Sequence, residues 1–400
     1  MKKRDGNRIK ITLHEGAENR RPGDAGLVFG DGAKKLIRLA CALAVLAFAV
    51  VMLRYDFVNR PVTLARYLSA AEVRFAALGR FLSGRESNGL NYSIYTVIIA
   101  AFVGAALSVC GTVSQGVFRN PIASPSMLGV QSGGMVAAAL YLIIRWEPSP
   151  ASEFFTFEEY STLLDGMSFF DMYERQIWML VGCLAGAGVI IAISTRAGRG
   201  KMSSLVLIIS GTLFSSFANT FTSLARFWFV YNDPTTERAY AMMGVAMGSF
   251  ANTYTLRHLV MLGIPILIGL GALFAMSGRL NVIMFGEDEA RTLGLNVTRF
   301  RTVVFLICAT LSAVVLSFCG QMGFVGLVVP HFARQISGSN FRLLLPVSAL
   351  LGALTVVLVY GVAACVGMTS SLNVITSVMG GAMFMFIMLK YRRRRNADWA

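Results

Sequence analysis

Ten apolar stretches without a single acidic side chain constrain the fold of this chain more than any other feature of its sequence. Apolar residues make up 55% of the 400 residues and charged residues 14%. An apolar run of about 20 residues is long enough to cross a bilayer as a helix. The sequence therefore predicts an all-α, polytopic membrane protein with about ten transmembrane helices. The predicted spans are 37–53, 92–112, 126–144, 177–194, 203–224, 258–276, 303–321, 326–337, 343–366 and 370–389, of which the eighth is too short to span alone.

Charge is distributed unevenly around these spans. Residues 1–36 form a basic tail and residues 391–400 a basic C-terminus, on either side of a transmembrane domain at residues 37–390. Placing both termini in the cytosol puts most of the 36 Lys and Arg residues on that side, as the positive-inside rule requires. We therefore attribute the net charge of +15 to basic residues on the cytosolic side of the membrane, and not to nucleic-acid binding.

The groups that membrane-embedded carriers and enzymes need are missing from the spans. Ion-coupled carriers commonly hold carboxylates at membrane depth, whereas all 21 Asp and Glu residues fall in predicted tails and loops. The six Cys and three His residues form no metal-ligand pattern, and neither H-E-x-x-H nor G-x-x-x-x-G-K-[ST] occurs. We expect no enzyme activity, no metal and no cofactor in this chain. An ion-coupled secondary carrier stays open as an alternative.

A short repeat relates the two halves of the sequence. Residues 107–111 read LSVCG and residues 316–320 read LSFCG, and the same offset aligns Pro121 with Pro330. In the predicted topology the first copy runs towards the cytosol and the second runs away from it. Spans 2–5 and 7–10 are therefore predicted to be inverted repeats, an arrangement in which a transport pathway forms between the repeats.

Three motifs occur in order along the transmembrane domain. They are QGVFRNPIASPSMLGV at residues 115–130, FGEDEARTLGL at residues 285–295 and GQMGFVGLVVPHFAR at residues 320–334. In the first motif, Pro121 biases Asn120 towards an extended conformation, and Pro125 also opposes helix. In the second motif, three acids followed by a glycine suit a short helix with negative charge in its first turn.

Together these motifs resemble those of the permease subunits of iron–siderophore, haem and vitamin B12 ABC importers, the FecCD-type permeases. The resemblance covers about residues 90–390 and leaves out the tail and residues 54–91. It implies a type II ABC importer permease in a bacterial cytoplasmic (inner) membrane. Its implied partners are ABC ATPase subunits that bind the ATP, an extracytoplasmic substrate-binding protein and a second permease subunit, identical or different. The implied function is ferric siderophore uptake, with haem and cobalamin as chelates that fit the same motifs.

The resemblance also assigns roles to single residues. It places coupling to the ATPase at Glu287, Asp288, Glu289, Ala290, Leu293 and Gly294. Pathway and gate packing falls to Gln115, Asn120, Pro121, Pro125 and Gly326, with Ser370, Ser371 and Asn373 near the outer gate. We interpret His331 as a packing residue and not as a ligand.

The chain departs from the family pattern on the outer face. The usual R-x-P-R before span 2, the Asp and Arg of the penultimate helix and the E-L-P-V-G before the last helix are absent. In related permeases, arginines of this face meet glutamates of the substrate-binding protein. Arg80 and Arg85 are predicted to replace them, and a scaffold that has lost transport stays open as an alternative. The acidic loop 145–176 either contacts the binding protein or covers the mouth of the pathway.

Overall fold

The computed structural model describes residues 35–47, 50, 88–126, 128–145, 169–198, 204–232, 237–250, 256–366 and 368–397. This described part consists of helices joined by turns, without a strand, so the all-α prediction is confirmed. The helices are α1 (35–47), α2 (Asn88–Val117), α3 (Val130–Ile144), α4 (Phe169–Ala197), α5 (Ser204–Asn232), α6 (Glu237–Met247), α7 (Leu256–Ala275), α8 (Ser277–Phe285), α9 (Glu287–Thr292), α10 (Val297–Cys319), α11 (Val325–Ser337), α12 (Phe341–Val366) and α13 (Leu372–Ala397).

Six helices in the described part are long and apolar enough to cross a bilayer, namely α2, α4, α5, α7, α10 and α12. The apolar parts of α3 and α13 are shorter, and α11 has only 13 residues, in agreement with the short eighth span. Each of the ten predicted spans coincides at least in part with a helix, so the prediction of about ten is confirmed. The chain is a multi-pass membrane protein.

Several predicted boundaries are wrong, because helices extend beyond the apolar runs. Helix α4 begins at Phe169, so Asp171 and Glu174 lie in its first turns and not in a loop. Arg145 Nε lies 2.9 Å from Glu174 Oε1, and this ion pair offsets the charge at the helix end. Helix α10 begins at Val297 and includes Arg301, which the sequence pattern places in a cytosolic loop. Helix α6 has no counterpart among the predicted spans.

Helices α2 and α10 form the core of the bundle. Their most apolar windows are 78% and 67% buried, against 28–33% for α4, α5 and α7. Helix α2 packs against α7, α10, α11 and α12, and α10 packs against α2, α3, α4 and α7. These two central helices are also the ones that open the two predicted repeats.

The contacts between helices follow the predicted repeat. When α2–α5 are matched in order to α10–α13, the α2–α12 contact corresponds to α10–α4, and α3–α4 corresponds to α11–α12. Likewise, α2–α11 corresponds to α10–α3, and α3–α5 corresponds to α11–α13. All of these pairs are in contact, two of the correspondences within the units and two between them, as two units related by a pseudo-twofold axis require. The helix packing thus agrees with the inverted repeats read from the sequence.

Glycines bring α2 into direct backbone contact with its neighbours. A Cβ atom on Gly104 would collide with the backbone of Gly352 in α12, and one on Gly111 would collide with the backbone of Gly326 in α11. Small residues allow this close approach in membranes, where apolar side chains gain little by leaving the lipid. The repeated LS-x-CG motif therefore marks a contact between backbones.

A cluster of hydroxyl groups lies between these two glycine contacts. The Oγ atoms of Ser108 and Ser348 are 2.7 Å apart, and Thr112 Oγ1 lies 2.5 Å from Ser348 Oγ. All three side chains are fully buried. A hydrogen bond between membrane helices contributes about 1 kcal/mol, so this cluster adds to the stability of the α2–α12 contact.

The glycine contact gives a prediction about stability. We expect Gly104→Ala to lower the temperature of unfolding in detergent, because the new methyl group meets backbone atoms that cannot rotate away. Overpacking of this kind costs about 1–3 kcal/mol. Gly271→Ala in α7 is the matched control, because no atom lies within 4 Å of its added Cβ. Equal unfolding temperatures for the two variants would contradict the assignment of Gly104 to a tight contact.

Candidate functional site

The second motif folds into the short helix α9 and the turn after it. Gly286 separates α9 from α8, and Gly294 has a φ of 81°, a left-handed conformation that favours glycine. The Leu295 N–H donates to the Ala290 carbonyl at 2.9 Å and closes the turn towards α10. The structure therefore brings the residues predicted for coupling into one segment, namely Glu287, Asp288, Glu289, Ala290, Leu293 and Gly294.

The solvent side of this segment combines apolar and acidic side chains. Phe285 is 76% exposed and Leu293 is 69% exposed. Asp288 and Glu289 are exposed in the same segment, whereas Ala290 is fully buried and anchors the helix. Exposed apolar side chains with charged neighbours are a combination that protein-binding surfaces share. We call Phe285, Asp288, Glu289 and Leu293 the α9 surface.

Glu287 differs from the other two acids because it binds a buried arginine. Arg301 Nη2 donates to Glu287 Oε1 at 2.7 Å, and Arg301 Nε donates to the Val117 carbonyl at 3.3 Å. Arg301 itself is only 3% exposed. Arg291 is a more distant partner of Glu287, with 3.9 Å between Nη2 and Oε2. The sequence analysis missed Arg301, because a basic residue before an apolar run looks like any flanking cytosolic charge.

Gln115 joins the end of α2 to α11. Its Nε2 donates to the Leu327 carbonyl at 3.0 Å, and its Oε1 accepts from Arg334 Nη1 at 2.6 Å. The His331 side chain is half-buried and lies beside the backbone of Pro121, which supports its interpretation as a packing residue. The first and third motifs therefore meet at the same end of the bundle as α9.

The other residues predicted for pathway and gate packing shape this same region. Asn120 Oδ1 accepts from the Ile122 N–H at 3.0 Å, so its side chain closes a turn between α2 and α3. Pro121 is exposed, Pro125 is buried, and Gly326 lies against the backbone of α2. Their contacts fix the backbone between α2 and α3 and its packing against α11.

The residues predicted for the outer gate come together at the opposite end of α10. Asn373 Oδ1 accepts from the Gly323 N–H at 3.0 Å, and its Nδ2 donates to the Ala246 carbonyl at 3.0 Å. Ser371 Oγ lies 3.5 Å from Met247 Sδ. Asn373 thus connects the start of α13 with the end of α6 and with the turn that follows α10.

A polar cavity of about 260 Å³ opens beside this junction. Ser370, which is exposed, is part of its lining. The sequence analysis did not single out its other polar side chains, because they come from helix ends far apart in the chain. These are Arg175, Tyr240, Ser249 and Ser317.

Helix α5 carries a stripe of polar residues on an exposed face. Thr212, Ser216, Asn219, Thr220 and Ser223 are all exposed, and their spacing of three or four residues places them along one side of the helix. Thr212, Ser216 and Thr220 donate to carbonyls of the preceding turn at 2.9–3.0 Å. Phe217, Phe221 and Leu224 lie on the adjacent apolar side. We call the five polar residues the α5 stripe.

Some predicted features lie outside the described residues. These are Arg80 and Arg85, the tail up to residue 34 and residues 146–168 of the acidic loop. Docking through the two arginines and the role of the loop therefore stay predictions. Among the described residues, no group of three or more His, Cys, Asp and Glu side chains is placed to hold a metal ion.

Known proteins are similar in sequence to this chain over most of its length. The sequence profile of the FecCD transport family matches residues 61–390. The cobalamin import system permease protein BtuC of Halobacterium salinarum is 31% identical over 73% of this chain and 70% of its own length. The hemin transport system permease protein HmuU of Yersinia pestis is 29% identical over 77% and 84%. The Fe(3+)-citrate import system permease protein YfmD of Bacillus subtilis is 29% identical over 74% and 79%.

The fold is shared as well. A solved inward-facing structure of the metal-chelate type of ABC transporter matches with a TM-score of 0.68 and 25% identity, covering 90% of this chain and 99% of that chain. The family match begins at residue 61, so the prediction that residues 61–91 lie outside the family region is wrong. The prediction failed because none of the three motifs lies within residues 61–91. The chain is a permease and not an enzyme, and it belongs to the FecCD transport family.

Proposed function

We propose that this chain is the transmembrane permease subunit of a binding-protein-dependent ABC importer for ferric siderophores. The observation that carries the proposal is the α9 surface, where exposed apolar and acidic side chains sit on a helix tied to the core. The chain contains no nucleotide-binding motif. Separate ATPase subunits bind and hydrolyse the ATP. They contact the permease at the α9 surface and transmit their conformational change to it there.

The choice of substrate is supported by the relatives. HmuU is named for hemin and YfmD for ferric citrate, while BtuC is named for cobalamin. All three are metal complexes, and two of them contain iron. A ferric siderophore has the same character, since an organic ligand encloses the metal and presents polar oxygens and apolar groups to its surroundings.

The pathway is proposed to run along the α5 stripe. Asn219 is exposed near the middle of a helix that is long enough to span the bilayer. A polar side chain at this depth faces protein or water, because contact with lipid is unfavourable. A second permease subunit, identical or different, facing this stripe would enclose a channel between the two.

We place the protein in a bacterial cytoplasmic (inner) membrane with both termini in the cytosol. The α9 end of the bundle then faces the ATPase, and the Asn373 junction faces the substrate-binding protein. Arg80 and Arg85 are proposed to dock that protein. The basic residues that flank the predicted spans support this orientation.

A charge reversal tests the α9 surface. We expect Asp288→Lys together with Glu289→Lys to weaken ATPase binding about tenfold, because two exposed acids at an interface become repulsive to the same partner. The measurement is the amount of ATPase that co-purifies with the permease in mild detergent. Glu237→Lys, at the opposite end of the bundle, is the control. Unchanged co-purification would show that the ATPase binds elsewhere.

Thiol labelling tests the α5 stripe. In a chain whose exposed Cys41 and Cys365 are replaced by alanine, we expect Ser216→Cys to react with a water-soluble maleimide in the assembled importer. We expect Phe217→Cys, one residue away on the apolar side, to react about tenfold more slowly, because lipid excludes the reagent. Equal rates would place the stripe outside an aqueous pathway.

Transport in membrane vesicles tests the function itself. We expect uptake of a ferric hydroxamate siderophore to need ATP and the binding protein and to persist when an uncoupler dissipates the proton gradient. Haem and cobalamin serve as competing substrates in the same assay. Uptake that the uncoupler abolishes would indicate an ion-coupled carrier, and co-purification of ATPase without uptake of any chelate would indicate a scaffold.

A further inference from the structure

Arg301 is a charged side chain inside the bundle, at a buried position where a charge is unfavourable unless it is paired. It lies in the second turn of α10, in the helix with the second most buried apolar window among the six long helices. Removing a guanidinium from water is unfavourable unless its donors are used. Two of its contacts, with Glu287 and with Val117, show which parts of the molecule it joins.

Each contact belongs to a different part of the molecule. Glu287 is the first residue of α9, next to the surface proposed to bind the ATPase. Val117 is the last residue of α2, the most buried of the long helices. The last carbonyls of a helix lack partners within that helix, and they carry partial negative charge that favours a cation. Arg301 thus joins α9 to the end of α2 through one planar group.

The end of α2 is in turn connected to α5. The chain leaves α2 through residues 118–129, and the carbonyl of Leu128 lies against Gly211 of α5. Ser132 Oγ, at the start of α3, lies 3.1 Å from Ser215 Oγ of α5. The end of α2 is therefore connected to α5 by one backbone contact, at Leu128 and Gly211, and by one pair of side-chain hydroxyl groups, at Ser132 and Ser215.

We propose that Arg301 is a positioning residue that transmits movement of α9 to the end of α2 and from there to α5. The proposal rests on the proposed function, because it assumes that α9 moves with an ATPase. It assigns a role to a residue that none of the three motifs contains. The guanidinium acts through geometry: one edge holds the carboxylate of Glu287 and Nε holds the carbonyl of Val117, so the two groups move together.

The test measures transmission without depending on the identity of the substrate. In the assembled importer, the maleimide reaction of Ser216→Cys is followed with and without ATP and vanadate, alongside ATP hydrolysis. With Arg301 present, we expect nucleotide to change the labelling rate. With Arg301→Met, we expect ATPase binding and hydrolysis to continue while this nucleotide-dependent change falls about tenfold, the size of an ordinary coupling energy.

Arg299→Met is the matched control, because Arg299 is an exposed arginine in the same part of α10. It should keep the full nucleotide response. If Arg301→Met assembles poorly, Glu287→Gln decides, since it removes the charged acceptor at the half-exposed end of the pair and leaves α10 intact. Loss of the response with hydrolysis retained supports the proposal.

Two results would overturn it. A full nucleotide response in Arg301→Met, or in Glu287→Gln where the first variant fails to assemble, would show that movement reaches α5 by another route. Loss of ATPase binding in a folded Arg301→Met variant would make Arg301 part of the docking site instead. Failure of the proposed function is distinguishable, because the chain with Arg301 intact would then either recruit no ATPase or recruit it without any uptake of chelate.

Discussion

The backbone contact of α2 with α11 and α12 is the constraint on which the rest of the structure depends. Because Gly104 and Gly111 have no side chains, α2 lies close enough for Ser108 and Thr112 to reach the hydroxyl of Ser348. The same contact positions the end of α2 relative to the neighbouring helices. The carbonyl of Val117 is then within reach of α10, and Gln115 is within reach of α11. The polar connections at the end of α2 follow from this packing.

Several polar side chains bind backbone groups of neighbouring segments. Arg301 and Gln115 donate to carbonyls of other helices at one end of the bundle. Asn373 accepts a backbone N–H and donates to a backbone carbonyl at the other end. In lipid, an unpaired backbone group is costly, so irregular segments need such side chains. These side chains hold helix ends and turns in place against the neighbouring helices.

The sequence predicted the spans, the repeat and the α9 segment well, because each leaves a local signal: absent acids, a recurring LS-x-CG, or three acids before a glycine. Arg301 left none, since its burial depends on the end of a helix far away in the chain. Helix α6 was missed because its 11 residues fall below the length of a span. The α5 stripe was missed because Ser and Thr occur equally on buried and exposed faces of membrane helices, and only the packing shows which face is open.

The hydroxyl groups of the α5 stripe have a chemical consequence for anything that passes them. The hydroxyl groups of Thr212, Ser216 and Thr220 donate to carbonyls of their own helix. Their oxygens therefore remain available mainly as hydrogen-bond acceptors. These three hydroxyl groups therefore offer acceptors to water but few donors to the oxygens that surround a chelated metal, and the amide of Asn219 is the main donor of the stripe. A surface of this kind offers no high-affinity site, so a ligand that is bound weakly along it dissociates as readily as it binds. In the proposed pathway along the α5 stripe, recognition of the ligand would therefore fall to the substrate-binding protein, and the membrane helices would control only its passage.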